Sequence, residues 1–198
     1  SVFKRKMIKV KLSANESALG PSPKAIREYN KVSKNFKRYP DTNGTALRKV
    51  IANKFKIDKN RIILGSGSDQ ILEFICKAFI KKNDEVIVPC LTPIMCGTTV
   101  HLAGGTPVYA DVDPETFLID IKEIKKKITK KTKALVIVHI YGLVCNLREI
   151  SKFVKKKKLF LVEDCAEALG SKYDNKYIGN HGDCSTFSFY PNKTITTG

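Results

Sequence analysis

A lysine close to the end of the chain has the setting that an imine-forming amine requires. Lys193 follows a predicted strand in the segment FSFYPNKTITTG and precedes a turn of small residues, so we expect its side chain to be held rigidly. An amine that is removed from water gives up its proton more readily and can then attack an aldehyde. Position alone does not select this residue from the 36 lysines and arginines of the chain, so the neighbouring segments have to decide.

The strand LFLVED ends in Asp164, a carboxylate at the mouth of an apolar run. A carboxylate in this place needs a partner that offsets its partial burial. A protonated pyridine nitrogen would be such a partner, and a charged ring withdraws electrons from a carbon that loses a proton. Capping of the following segment, or a pair with a lysine, explains the residue equally well.

The segment LGSGSDQ lies at a predicted junction between a strand and a helix. Its small residues would let backbone N–H groups approach a phosphate at the positive end of the helix. The segment lacks the third glycine of a dinucleotide loop and the lysine of an ATP loop. A helix capped by Ser68, with no ligand bound, explains the same pattern.

Short apolar runs alternate with helical patterns along most of the chain, which predicts a mostly parallel α/β sheet. We expect one domain over residues 21–198, preceded by an arm over residues 1–20. In such sheets ligands bind beyond the carboxyl ends of the strands, where the residues above are placed. The predicted strands are RIILG, EVIVP, TPVYADV, ALVIVHI, LFLVED and CSTFSFY, with a hairpin turn at Asp174-Asn175.

The net charge of +17 raises the possibility of a nucleic-acid partner. The lysines of residues 125–131, however, flank Ile121, Ile124 and Ile128 as the polar face of an amphipathic helix does. Those of residues 155–158 lie between a helix and a strand, so both groups predict solvated surfaces rather than a binding site. The six cysteines form no C-x-x-C pair, which argues against a metal centre or a disulfide framework and favours a reducing, cytoplasmic setting. No apolar run is long enough for a membrane span.

From ALVIVHIYG to TITTG the chain resembles the DegT/StrS family of nucleotide-sugar aminotransferases. The resemblance implies pyridoxal phosphate as cofactor, bound covalently as a Schiff base to Lys193, with Ser188 at its phosphate and Asp164 at its pyridine nitrogen. Glu167 falls where the family has a polar residue near the ring. It also implies the three-layer, seven-stranded fold of the aspartate aminotransferase-like large domain.

The first part of the chain resembles histidinol-phosphate aminotransferases instead, through KLSANESALGPSPKAIREY, RYPDTNGTALRKV and RIILGSGSDQ. There the counterparts of Gly67, Ser68 and Asp69 hold the cofactor. The counterpart of Tyr39 reaches the phosphate bound by a second subunit, which implies a homodimer. The two resemblances share a fold and a cofactor but imply different substrates.

Two departures from these families bear on function. Where an aromatic residue stacks on the cofactor ring, this chain has CLTPIMC, so Pro93, Ile94 or Met95 would have to serve. The families also continue into a small domain after TTG, so we expect residues 1–198 alone to be inactive.

The resemblances imply transfer of an amino group, from glutamate, to a keto group of a nucleotide-linked sugar. The alternatives are an amino-acid transaminase of the histidinol-phosphate type and a cofactor-binding fragment without turnover. A dehydratase of the sugar family is disfavoured, because those proteins have histidine in place of the lysine.

Overall fold

The computed structural model of the chain describes residues 19–197. Most of the predicted arm therefore lies outside the described residues. Six α-helices and seven strands alternate along the described part. The helices are α1 Pro23–Val32, α2 Thr45–Phe55, α3 Ser68–Phe79, α4 Met95–Leu102, α5 Ile121–Lys127 and α6 Leu147–Lys157. The strands are β1 Glu85–Pro89, β2 Thr106–Ala110, β3 Thr132–Val138, β4 Phe160–Asp164, β5 Lys172–Tyr173, β6 Lys176–Tyr177 and β7 Cys184–Thr186.

Five of the strands form one parallel sheet in the order β2-β1-β3-β4-β7. The register places Val138 of β3 beside Asp164 of β4, and Asp164 beside Thr186 of β7. Because all five strands run the same way, their carboxyl ends share one edge of the sheet. This confirms the predicted parallel α/β fold and the edge at which the site residues were expected.

Both faces of the sheet are covered by helices, which gives the three predicted layers. Successive strand residues point to opposite faces. Ile87, Leu135 and Leu161 pack in one core with residues of α5 and α6, whereas Val88 and Val136 pack in another with residues of α3 and α4. The central strands β1, β3 and β4 are buried on both sides, as their continuous apolar runs indicate.

Local sequence signals account for several helix boundaries. Pro23 opens α1, because the fixed φ of proline and its missing N–H suit the first turn of a helix. The side chain of Asp120 accepts a hydrogen bond from the backbone of Lys122 at the start of α5, and that of Asn146 accepts one from Glu149 at the start of α6. The lysines of α5 are exposed while Ile124 is buried, so the helix is amphipathic, as predicted. None of the helices in residues 19–197 has the length and apolarity for crossing a bilayer.

Within the described residues the main sheet has five strands, fewer than the seven that the resemblance implies. Five strands form the sheet, while β5 and β6 form a separate antiparallel ribbon around the predicted turn at Asp174 and Asn175. The segment RIILG, predicted as a strand, is not one. Ile62 has an extended backbone, but the segment pairs with no strand among the described residues. Ile63 is also largely exposed. CSTFSFY pairs only over its first three residues.

Candidate active site

Asp164 is the last residue of β4 and is almost completely buried. Its Oδ1 accepts hydrogen bonds from the backbone N–H of Ala166 at 3.0 Å and from the hydroxyl of Thr186 at 3.2 Å. Its Oδ2 accepts one from the thiol of Cys96 at 3.4 Å. Asp164 therefore caps the turn after β4 with one oxygen, while the other has a weak thiol donor.

Burial raises the pKa of the Asp164 carboxyl, and the three hydrogen bonds and the positive charge of Lys193 offset only part of that rise. Within residues 19–197, Asp164 forms no ion pair, so the predicted alternative of a lysine partner in direct contact is wrong. A buried carboxylate with only neutral donors around it suits a ligand that carries a positive N–H group.

Lys193 contacts Glu167 rather than standing alone. The Nζ atom of Lys193 donates to Oε1 of Glu167 at 3.2 Å, and 15% of the lysine side chain is exposed. The other carboxylate oxygen of Glu167 accepts from the backbone N–H of Tyr141 at 2.9 Å. The sequence predicted a rigidly held, desolvated amine; the structure has a mostly buried amine that is held in an ion pair.

The backbone near Glu167 is unusual at Tyr141, which has a φ of 56° although it is not a glycine. This left-handed conformation is costly for a residue with a side chain. It lies in the short helical turn Ile140–Gly142 after β3 and aims the Tyr141 N–H at Glu167. Tyr141, which follows β3, thus orients Glu167, which follows β4, and Glu167 in turn holds the amine of Lys193.

The glycine-containing loop before α3 has the open geometry that a phosphate site needs. Gly67 has a φ of 92°, a region that favours glycine, and a Cβ atom at this position would meet no atom within 4 Å. Ser68 is buried and Asp69 lies in the first turn of α3. The expected cap by Ser68 is wrong, because Ser68 is already helical and Gln70 instead accepts from the N–H of Ser66 at 2.8 Å.

The thiol of Cys96 lies close enough to both Asp69 of this loop and Asp164 to be affected by their charges. The carboxylates of Asp164 and Asp69 both act on the Cys96 thiol, whose pKa rises to about 12, chiefly through burial. The thiol therefore stays protonated and can donate to Asp164. The N-terminal end of α3, the start of α4 and the end of β4 consequently lie in one neighbourhood.

The remaining predicted residues divide into two groups. Ser188 is buried two residues beyond β7, and its Oγ accepts from the backbone N–H of Tyr190 at 3.3 Å. Tyr39 is fully exposed and is not brought to Lys193 or Asp164. Ile94 is also largely exposed, just before α4.

Sequence reasoning missed Cys96, Thr186 and Tyr141, whose contacts depend on strand register and on a loop conformation.

Residues 25–198 match the model of the DegT/DnrJ/EryC1/StrS aminotransferase family. The chain belongs to this family. The resemblance that the Lys193 segment carries is thereby confirmed. A member of the DegT/DnrJ/EryC1/StrS family is expected to be identified by such segments even where its substrate differs.

Two curated relatives reflect the two resemblances found in the sequence. GDP-perosamine synthase of Escherichia coli O157:H7 is 51% identical over 119 residues, which are 60% of this chain and 33% of that protein. Histidinol-phosphate aminotransferase of Pelagibacter ubique is 37% identical over 161 residues, which are 78% of this chain and 44% of that protein. The chain thus spans about a third of the length of the perosamine synthases that it matches.

A solved structure shows the same fold. Helicobacter pylori PseC, an aminotransferase involved in the biosynthesis of pseudoaminic acid, superposes with a TM-score of 0.80. The match covers 89% of this chain and 48% of that chain at 23% identity. At this identity the likeness establishes the fold, which is that of the DegT/DnrJ/EryC1/StrS aminotransferases.

Proposed function

We propose that the protein is a pyridoxal-phosphate-dependent aminotransferase that moves an amino group, from glutamate, to a keto group of a nucleotide-linked sugar. The observation that supports this most directly is the mostly buried Lys193 amine, held by Glu167 and within electrostatic reach of the buried Asp164. An imine-forming amine and an acid for a pyridine nitrogen are the two groups that this cofactor requires on one site.

The described residues fit the cofactor. Asp164 offers a buried carboxylate whose Oδ2 has a single weak donor, which suits a protonated ring nitrogen. The open glycine loop of Gly67, Ser68 and Asp69, with Ser188, suits its phosphate. When bound, pyridoxal phosphate withdraws electrons from the substrate carbon that loses a proton.

The residues of the chain would then do the following work. Lys193 would hold the cofactor covalently through its Nζ atom and would carry the proton that the substrate carbon loses and regains. Glu167 accepts a hydrogen bond from the Lys193 ammonium in the free protein, so it keeps the displaced amine beside the site. Asp164 would keep the ring nitrogen charged, and Gly67, Ser68, Asp69 and Ser188 would hold the phosphate and so fix the position of the ring.

A second candidate function is an amino-acid transaminase of the histidinol-phosphate type. It is favoured by the relative from Pelagibacter ubique, which covers more of the chain than the perosamine synthase does. The perosamine synthase is the more identical of the two, and Lys193 lies in the segment of the sugar type, so we place the sugar substrate first.

We further propose that residues 21–198 form the large cofactor-binding domain of a cytoplasmic homodimer. The six cysteines are free thiols, which suits a reducing compartment. The helices α1 and α2 contain no buried residue, so exposed side chains such as Ile26 of α1, Val50 of α2 and Tyr39 between the two helices are available to a second subunit.

The test is a pair of half-reactions on the complete protein. Glutamate should convert the bound cofactor to its amine form, seen as a change of absorbance, and a nucleotide-linked keto sugar should restore it. Histidinol phosphate should leave the spectrum unchanged. A lysine-bound cofactor that does not respond to glutamate would contradict the aminotransferase proposal and favour a cofactor-binding protein without turnover.

A further inference from the structure

The carboxylate of Glu163, one residue before Asp164 in β4, is completely buried and takes no part in the proposed chemistry. Successive strand residues face opposite sides of a sheet, so it lies on the other face from Asp164. Its Oε1 accepts from the backbone N–H groups of His181 and Gly182, each at 2.7 Å. Its Oε2 accepts from the N–H of Gly179 at 2.9 Å and lies 3.2 Å from Nε2 of His139.

The contacts of His139 fix which of its nitrogens carries the proton. The backbone N–H of Cys145 donates to Nδ1 of His139 at 3.2 Å, so Nδ1 is an acceptor and the proton lies on Nε2. Four donors thus converge on one carboxylate. Burial, the largest single influence, raises the pKa of Glu163, but His139 and the three backbone donors together hold it below its usual value.

The loop that supplies the three backbone donors packs tightly on β4. A Cβ atom on Gly182 would come within 2.7 Å of the carbonyl oxygen of Leu161, so only glycine fits there. The next residue, Asp183, makes two hydrogen bonds to the backbone of Leu161. Its N–H donates to the Leu161 carbonyl and its Oδ2 accepts from the Leu161 N–H, both at 2.8 Å. Residues 179–183 are therefore fixed to β4 at several points.

This loop leads straight into β7, a short strand at one side of the five-stranded sheet. The strand pairs over three residues, and β4 is its only neighbour within the described part of the chain. Ser188 and Lys193 follow β7 in the sequence. We infer that Glu163 is a positioning residue that fixes the 179–182 loop on β4 and thereby sets where Lys193 stands relative to Asp164.

This inference rests on the proposed function for the role of Lys193, but the anchoring contacts stand on their own. The competing explanation is a metal centre, since ligand atoms of His139, Glu163 and Cys165 lie within 4.8 Å of one another. Both oxygens of Glu163 and the Nδ1 of His139 already accept hydrogen bonds from the protein. Burial also raises the pKa of the Cys165 thiol, which keeps its proton. A metal would have to displace this network.

The test is Glu163→Gln in the complete protein. The amide keeps the shape but turns a donor group toward backbone donors, so the N–H groups of Gly179, His181 and Gly182 should exchange with solvent at least about tenfold faster. The pH midpoint at which the absorbance of the lysine-bound cofactor changes should shift, and kcat should fall at least about tenfold. A purely structural role would leave that midpoint in place.

Val154→Ala is the matched control, because it opens a cavity under α6 and Val154 takes no part in the hydrogen bonds between the loop and Glu163. It should lower stability and leave both the exchange and the midpoint unchanged. Unchanged exchange in Glu163→Gln, an unchanged midpoint, or the same midpoint shift in Val154→Ala would overturn the inference. So would a stoichiometric metal ion that is lost with Glu163. If borohydride fixes no cofactor to Lys193 of the unaltered protein, the proposed function fails, while the exchange experiment still decides the anchor.

Discussion

Asp164 and Thr186 lie opposite each other on neighbouring parallel strands, and the hydroxyl of Thr186 donates to Oδ1 of Asp164 at 3.2 Å. The same oxygen accepts from the backbone of Ala166, so the orientation of the carboxylate is fixed by two donors. Among residues 19–197, Oδ2 accepts a hydrogen bond from the thiol of Cys96 alone, which leaves this oxygen with capacity for a stronger donor. The orientation of the acid therefore depends on the pairing of β4 with β7.

We predict that Lys193 binds the cofactor covalently. Reduction of the complete protein with borohydride in the presence of pyridoxal phosphate, followed by peptide mapping, should find the label on Lys193. Lys193→Ala should abolish it, whereas Lys172→Ala, which removes an exposed lysine over the ring of Tyr177, should retain it. A label on another lysine would contradict the assignment.

Asp164→Asn should keep the covalent attachment of the cofactor and lose most of the turnover. A neutral amide no longer stabilises the charged ring, so we expect kcat to fall at least about 100-fold, or about 2.7 kcal/mol of barrier. Asp174→Asn removes a surface acid that pairs with Arg148 and should leave kcat unchanged. Near-normal turnover of Asp164→Asn would mean that this residue serves only as a cap.

The adjacent acids Glu163 and Asp164 should have opposite effects on stability as the pH changes. The pKa of Asp164 is raised in the folded protein, so its ionised form opposes folding once the pH exceeds the unfolded pKa. Asp164→Asn should therefore stabilise the cofactor-free protein at neutral pH, with a gain that vanishes in acid. The pKa of Glu163 is lowered, so its contribution is present above the unfolded pKa and is lost as the pH falls through the folded one.

Accordingly, Glu163→Gln should destabilise the cofactor-free protein at neutral pH, and this cost should fade in acid. Urea unfolding of both variants and of the unaltered protein, at about pH 7 and about pH 3, measures the two effects. Changes of the same sign at neutral pH would show that one of the two carboxylates has been assigned the wrong environment.

Gly67→Ala should weaken cofactor binding. Both Gly67 and Gly170 have a φ above 90° and open space where a Cβ atom would be, so alanine at either position should cost about 1–3 kcal/mol of stability through backbone strain. Only Gly67→Ala should also raise the dissociation constant of pyridoxal phosphate, measured by equilibrium dialysis. Equal dissociation constants for the two variants would remove the loop before α3 from the phosphate site.

The sequence determined the elements that depend on local patterns. Apolar runs and helical periodicity predicted the layers of the sheet, Pro23 marked the start of α1, and Asp174 and Asn175 marked the turn of the ribbon. Lys193 and Asp164 were found because recognisable segments surround them, and the family match over residues 25–198 confirms that resemblance.

Tertiary structure decided the contacts between residues far apart in the chain. Cys96 reaches Asp164 across 68 positions, and Lys193 reaches Glu167 across 26. RIILG has the composition of a strand, yet pairing needs a neighbour and no described strand lies beside it. Periodicity reports which face of an element is buried, whereas strand order and register, which bring Asp164, Thr186 and Lys193 to one edge, arise only when the whole sheet assembles.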